Sequence, residues 1–295
     1  MAGERIAWVD IARIIAIVLI VGFHVAYELT LDPSLRPIGF IGASLFFIAS
    51  GYMLSAKYPE LVQFDINWLK KRWLRIASLY YPTLICVSLL FVNQDLYGRI
   101  RDLALHFLFL NWVSPDTAFS IISPVWFLVP LMGLYILFPF LNRAMKKSAW
   151  FLLPALLLAT ANRFLLPGSW TDFSPVFFLG EFCFGIAVAQ GEKRWLVLGL
   201  ALLPAVINPL MAAPFALFLL LAWLGKGIAT LPNLICAVAA NTFEIFLFHE
   251  SVMKVALGKW SILQQGIAAS LAILAISLAI VKLVSQRLAL YFFHK

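Results

Sequence analysis

Residues 7–28 read AWVDIARIIAIVLIVGFHVAYE. A bilayer core is crossed by about 20 predominantly apolar residues, so this stretch is long enough to span. It also carries Asp10, Arg13, His24 and Glu28. An ionisable group at the bilayer centre costs roughly 2.5–3.5 kcal/mol on insertion scales, so a span holding a set of them marks a functional site. No small-residue cleavage site follows the run, and its charges interrupt the apolar core that a leader needs. It reads as a retained first span.

The rest of the chain agrees. Of 295 residues, 63% are hydrophobic and 12% charged, with a mean hydropathy of +0.95. Soluble domains carry about 25% charged residues, so the solvent for most of this chain is lipid. Only helices and closed barrels satisfy their backbone there, and the runs are of helix length. The fold class is therefore all-α, a polytopic transmembrane bundle. Apolar stretches fall near 7–28, 38–56, 73–92, 122–142, 149–166, 174–190, 195–209, 212–226, 233–256 and 262–285, about ten spans. A further run, 103–113, is about half the length needed. The sequence shows no fixed-period repeat or low-complexity tract, so residues 1–295 read as one integral-membrane domain.

The formal net charge is +8, but no basic-aromatic stripe lies outside an apolar span, which argues against nucleic acid. The basic residues gather in connectors. Connector 57–75 holds Lys57, Lys70, Lys71, Arg72 and Arg75; 143–147 holds Arg143, Lys146 and Lys147; 193–194 is Lys193-Arg194. All three clusters face the cytoplasm if the N-terminus does and if 103–113 does not cross. The rule thus predicts a short re-entrant or interfacial helix near 103–113 and two cytoplasmic termini, with Lys254 and Lys259 as exceptions. Cys86, Cys183 and Cys236 each lie inside apolar runs and read as small buried hydrophobes. The histidines show no ligand-spaced cluster, so no metal is expected.

Eleven residues separate Arg13 from His24. At about 100° per residue this is within roughly 20° of three full turns, so the two share a face. Asp10 lies three before Arg13 and Glu28 four after His24, on the same stripe. The stripe is expected to face the bundle interior, with Arg13 near the cytoplasmic end and His24 about 16 Å further along. In the penultimate span, His249 stands at a similar depth on a helix of the same direction, so two histidines can meet across a cavity. Glu181 also lies inside a span and can pair with Arg13 or Arg163, either as a structural ion pair or in the chemistry. His106, in the short run, reads as structural or interfacial, and His294 as terminal and uninvolved.

These residues resemble a known family, the bacterial integral-membrane acyltransferases called acyltransferase family three. The resemblance rests on Trp8-Val9-Asp10-Ile11-Ala12-Arg13 through His24, on Phe46-Phe47-Ile48-Ala49-Ser50-Gly51-Tyr52, and on the basic Lys71-Arg72-Trp73-Leu74-Arg75-Ile76. It continues through Pro124-Val125-Trp126-Phe127-Leu128 with Tyr135 and Pro139, Phe177-Phe178-Leu179-Gly180, and Phe246-Leu247-Phe248-His249. Members fused to a hydrolase-like domain often carry a Trp-Ser-Leu…Glu segment where this chain has Trp126-Phe127 and no nearby acid. The chain is therefore similar to stand-alone members without an appended extra-cytoplasmic domain.

The resemblance implies a multi-pass protein of the bacterial cytoplasmic (inner) membrane. It would move an acyl group, with acetyl expected, from cytoplasmic acyl-CoA (acetyl-CoA) to a hydroxyl of a glycan or lipid-linked sugar of the cell envelope. A neutral imidazole suits a sugar hydroxyl as general base, and it suits equally a transient acyl relay. The residues implied are His24, Arg13, Asp10 and His249 for the chemistry. For donor and acceptor they are Arg72, Arg75, Glu28, Ser50, Tyr52, Trp126 and Glu181. Arg72 and Arg75 fit the CoA phosphates or an ordinary positive-inside flank; Ser50 and Tyr52 fit an acceptor path or packing. A bundle with buried charge also fits a transporter of a polar or lipid-linked solute. Inverted repeats and paired broken helices would mark one, and neither is visible in the sequence.

Overall fold

A computed structural model of the chain describes residues 6–90, 96–113, 115–165, 174–191, 202–206, 208–228 and 230–257, with scattered positions between 197 and 286. Every regular element among them is helical. The chain forms two compact units, Met1–Phe64 with Pro130–Phe243, and Asp65–Val129 with Glu244–Lys295.

In the first unit, α1 (Ala7–Thr30) and α2 (Arg36–Lys57) form a helical hairpin. The turn is set locally: Leu31 takes a left-handed conformation, φ 56°, and its N–H donates to the Tyr27 carbonyl at 2.7 Å. Asp32 then accepts from the Ser34 amide at 2.9 Å and from the Ser34 hydroxyl at 2.7 Å. Those bonds hold the Asp32 carboxyl below its ordinary pKa. The unit continues with α6 (Leu128–Lys147), α7 (Leu152–Leu165), α8 (Leu179–Gln190) and α9 (Pro209–Leu224), and reaches α10 (Asn233–Ala240).

Helix α2 is the hub of this unit, packed against α1, α8 and α9. Lipid tails are as apolar as leucine, so helices here associate by close packing, and small residues permit it. A Cβ on Gly51 would overlap the Phe182 carbonyl oxygen, and one on Gly185 would overlap the Ile48 carbonyl oxygen. A Cβ on Gly42 would lie 2.7 Å from the Ala16 carbonyl oxygen. Phe47 and Phe178 stack nearby at 4.0 Å. At the other end of α2, Asn142 is completely buried and ties three segments together. Its Oδ1 accepts from Ser55 Oγ at 2.9 Å and Gln190 Nε2 at 3.0 Å, and its Nδ2 donates to the carbonyls of Pro59 and Leu61, both at 3.1 Å.

The second unit holds α3 (Ile66–Leu90), α4 (Leu96–Phe107), a single turn α5 (Pro115–Ala118), a 3-10 segment Ser123–Phe127, and most of α11 (Thr242–Ala256). Helix α4 is 12 residues, about 18 Å, too short to cross a hydrocarbon core. Two tyrosines of α3 hold its end: Tyr80 Oη donates to the His106 carbonyl at 3.1 Å, and Tyr81 Oη to the Phe107 carbonyl at 3.0 Å. His106 is fully buried, its ring nitrogens within 3.2 Å of Tyr80 Oη and Ser120 Oγ. The structural reading of His106 holds.

Two expectations need correction. The basic stretch 66–75 is not loop: α3 begins at Ile66, with Asp65 accepting from the amides of Asn67 and Trp68 at 2.8 and 3.2 Å. Arg72 and Arg75 therefore stand on a helix, three residues apart and on one face. The run 233–256 is not one continuous helix but breaks at Asn241. There Asn241 Nδ2 donates to the Ala237 carbonyl and Thr242 Oγ1 to the Ala239 carbonyl, at 2.6 and 3.2 Å. Such side-chain bonds compete with the helical ladder.

By length and composition, the helices Ala7–Thr30, Pro33–Lys57 and Ser123–Lys147 can each cross a membrane, and the broken pair adds a fourth if it is one span. Three shorter apolar helices, Ala149–Leu165, Pro175–Gln190 and Pro209–Leu224, accompany them. Most of the expected span 262–285, and six of the fifteen residues of 195–209, lie outside the described residues.

The glycine contacts give a direct test by thermal denaturation in detergent. Gly51→Leu and Gly185→Leu should each lose at least about 3 kcal/mol, the upper end of ordinary overpacking, because the obstacle is backbone. A Cβ at Gly22 in α1 meets nothing within 4 Å, so Gly22→Ala should be neutral or gain about 0.5–1 kcal/mol.

Candidate functional site

Helix α1 is unbroken from Ala7 to Thr30, so Asp10, Arg13, His24 and Glu28 keep their common stripe and Arg13 and His24 their separation of about 16 Å. The stripe does not occupy the most buried face. The buried residues of α1, Ala7, Val9, Ala12, Ala16, Ile17 and Ile20, have a mean direction about 65° from that of the stripe at 100° per residue. Gly42 brings α2 against the backbone of α1 at Ala16, on this buried side. The four ionisable residues border this seam and are half-buried.

Arg13 is held from two sides. Its Nη2 donates to Thr242 Oγ1 at 2.9 Å, and its Nη1 lies 3.6 Å from Asp10 Oδ1. The Asp10 side chain is 13% exposed and that of Arg13 35%. The carboxylate thus orients a guanidinium that still presents surface. The His24 ring tilts against Phe23 with centroids 4.9 Å apart. Nothing in the sequence singled out Thr242, because a threonine inside an apolar run carries no charge signal.

Tyr52 sits elsewhere on the hairpin. Its ring packs edge-on against Trp8 at 4.8 Å and near Phe218 at 5.8 Å. Trp8 projects from α1 well away from the stripe, as five residues place it about 140° from Arg13. Of the two readings open for Tyr52, packing is the one these contacts support. Ser50 is half-buried on the same helix.

Glu181 pairs with Arg163, not Arg13. Arg163 Nη2 lies 2.5 Å from Glu181 Oε1 and donates to the Phe177 carbonyl at 2.6 Å, and Ser44 Oγ donates to the same Glu181 oxygen at 3.1 Å. The Glu181 side chain is 1% exposed. The guanidinium also lies over the Phe177 ring, 4.6 Å from its centroid. Arg163 and Ser44 line a cleft of about 310 Å³ with Pro37, Phe40, Phe177 and Met211 among its other walls.

The remaining residues stand in the second unit. The Arg72 guanidinium lies over the Trp68 ring at 5.8 Å, while Arg75 is exposed. Trp126 is half-buried, its ring edge-on to Phe127 at 6.2 Å, and Phe127 packs on Phe246. His249 is 8% exposed, with Nδ1 2.8 Å from the Phe246 carbonyl oxygen, one turn back on α11. Beside it, Glu250 pairs with Lys254. Among the described residues no cluster of three metal-ligating side chains occurs.

Removing one partner of a buried ion pair leaves an uncompensated charge, at about 3–5 kcal/mol. Arg163→Met should therefore lower stability by that order, and adding Glu181→Gln should recover most of it. Thermal unfolding of both variants decides this, and additive losses would deny the pairing.

No curated protein and no solved structure matches the chain. A family model described as an acyltransferase domain matches residues 6–207. The matched stretch holds the Asp10–Arg13–His24 helix, the glycine-bearing α2, the basic start of α3 and the Glu181 helix, and it ends before His249. Covering well over half the sequence, it establishes that the chain belongs to acyltransferase family 3.

Proposed function

We propose that this protein is a membrane-embedded O-acyltransferase of about ten spans. In this reading it moves an acetyl group from cytoplasmic acetyl-CoA to a hydroxyl of a glycan or lipid-linked sugar. The observation that carries the reading is the unbroken α1 of a family acyltransferase, which presents a clamped Arg13 and, about 16 Å along the same stripe, His24. The bacterial cytoplasmic membrane, with both chain termini inside, is the location that the positive-inside pattern supports.

The spacing supports a division of roles. A guanidinium three turns from an imidazole is too distant to touch the carbonyl that the imidazole serves. Arg13 therefore binds a phosphate or other polar oxygen on the donor's cytoplasmic part, for which its fixed fork of donors is suited. The extended arm of CoA carries the thioester on toward His24. There the neutral imidazole accepts the proton of the sugar hydroxyl, the oxygen attacks the thioester carbonyl, the C–S bond breaks, and the thiolate leaves to be protonated as CoA. If the imidazole nitrogen attacks first, the same bonds exchange in two steps through an acyl-imidazole. Asp10 and Thr242 act through Arg13 as positioning residues. Arg72 and Arg75, on one face of α3, supply positive charge for the CoA phosphates.

Acyl transfer in membrane vesicles tests the assignment. His24→Ala should cost at least about 100-fold, the lower range for a lost general base, and Arg13→Ala should also abolish product, both at normal membrane levels. Arg72→Ala should raise KM for acetyl-CoA with kcat retained, the signature of lost uniform binding, while Lys70→Ala should change neither. Unaltered product from His24→Ala would remove the site, and an unaltered KM in Arg72→Ala would return that patch to topology.

A further inference from the structure

The cleft beside Glu181 has walls of two kinds. Phe40, Ile41, Phe177, Leu210 and Met211 make it apolar; Ser44 and Arg163, joined through Glu181, form one polar end, and Asn208 is a further polar residue of the lining. Its volume of about 310 Å³ is at the lower bound of small-molecule sites. Phe40 is 46% and Leu210 50% exposed, so it opens among side chains that face lipid in a membrane-spanning chain.

The polar end is nearly neutral overall. Glu181 already compensates Arg163 at 2.5 Å, so a further full negative charge would find no surplus cation there. What remains is donor capacity, since among the described residues the Arg163 hydrogen bonds leave from Nη2 alone. A neutral acceptor oxygen suits this end better than an anion does. Depth narrows the choice further. Ser44 lies eight residues, about 12 Å, from the start of α2 at Arg36, and each interfacial layer is roughly 5–8 Å thick. With Arg36 at the membrane surface, the polar end would fall about 4–7 Å below the interfacial layer, beyond the headgroup phosphate and nearest to the glycerol ester carbonyls.

We propose that this cleft binds one acyl chain of a glycerophospholipid, with its ester carbonyl accepting a hydrogen bond from Arg163 and the chain lying between α2 and α9. The lipid would fill a gap that the short helices α7 and α9 leave beside α2, and so support the Ser44–Glu181–Arg163 cluster. The proposal needs the membrane but not the acyl-transfer reading, and its test reads lipid occupancy rather than activity.

Delipidated full-length protein in detergent is offered phosphatidylcholine with a photoreactive acyl chain, and the labelled peptides are mapped by mass spectrometry. Label should concentrate on residues 37–44 and 210–214. Met211→Trp, which fills the cleft, should reduce it about tenfold while leaving label at exposed Leu157 and Leu158 unchanged. An ether-linked analogue, lacking the carbonyl, should label the cleft about tenfold less, as expected for loss of one hydrogen bond to a charged group. Retained melting temperature in Met211→Trp confirms a folded variant. Label spread evenly over lipid-facing residues, or insensitive to Met211→Trp, would overturn the site. Equal labelling by ester and ether, or preference for a polyprenyl phosphate probe, would overturn the ester assignment.

Discussion

The contact on which the first unit depends is the approach of α2 to its neighbours through Gly42, Gly51 and Gly185. Where the solvent is lipid, two helices gain nothing by hiding leucines from it, and backbone-to-backbone closeness must provide the attraction. Here the glycines sit against carbonyl oxygens of α1, α2 and α8, so α2 is fixed in rotation and depth. Several polar groups of the unit take their place from that seam. The Asp10–Arg13–His24–Glu28 stripe is displaced to its border, Ser44 is delivered to Glu181, and Ser55 is delivered to Asn142.

The polar groups of this unit divide by how firmly they are held. Glu181 is saturated by a guanidinium and a hydroxyl and is almost wholly buried. Arg13 is different: its partners, Asp10 and Thr242, orient it from the side and leave about a third of the side chain exposed. A cation that is aimed yet accessible is what recognition of a diffusing donor requires. On the proposed reading, the contrast between these two arginines favours α1 as the working end of the unit and α7–α8 as the site of a structural pair.

Hydropathy and helical periodicity made the all-helical class, the hairpin of α1 and α2 and the common stripe legible from sequence. The short element expected near 103–113 is met by a helix that starts earlier, Leu96–Phe107, with the 3-10 segment Asn111–Val113 after it. Three features escaped. The start of α3 at Ile66 was hidden because Lys70, Lys71, Arg72 and Arg75 end the apolar window while the helix, capped by Asp65, runs on through them. The break at Asn241 was hidden because it arises from two side-chain bonds to carbonyls rather than from proline or loss of hydropathy. The rotation of α1 was hidden because periodicity says which residues share a face, not which face a neighbour's glycine will select. For Glu181 the sequence narrowed the partner to two arginines, and geometry chose Arg163.

The central claim is that His24 in α1 performs acyl-CoA chemistry inside the membrane. Its most direct test is single-turnover reaction of the purified protein in nanodiscs with radiolabelled acetyl-CoA, comparing wild type with His24→Ala. The account predicts CoA release that depends on His24, with label retained on wild-type protein if the imidazole carries the acyl group and passed directly to acceptor if it acts as base. Equal CoA release by folded His24→Ala protein, or none by either, would contradict it.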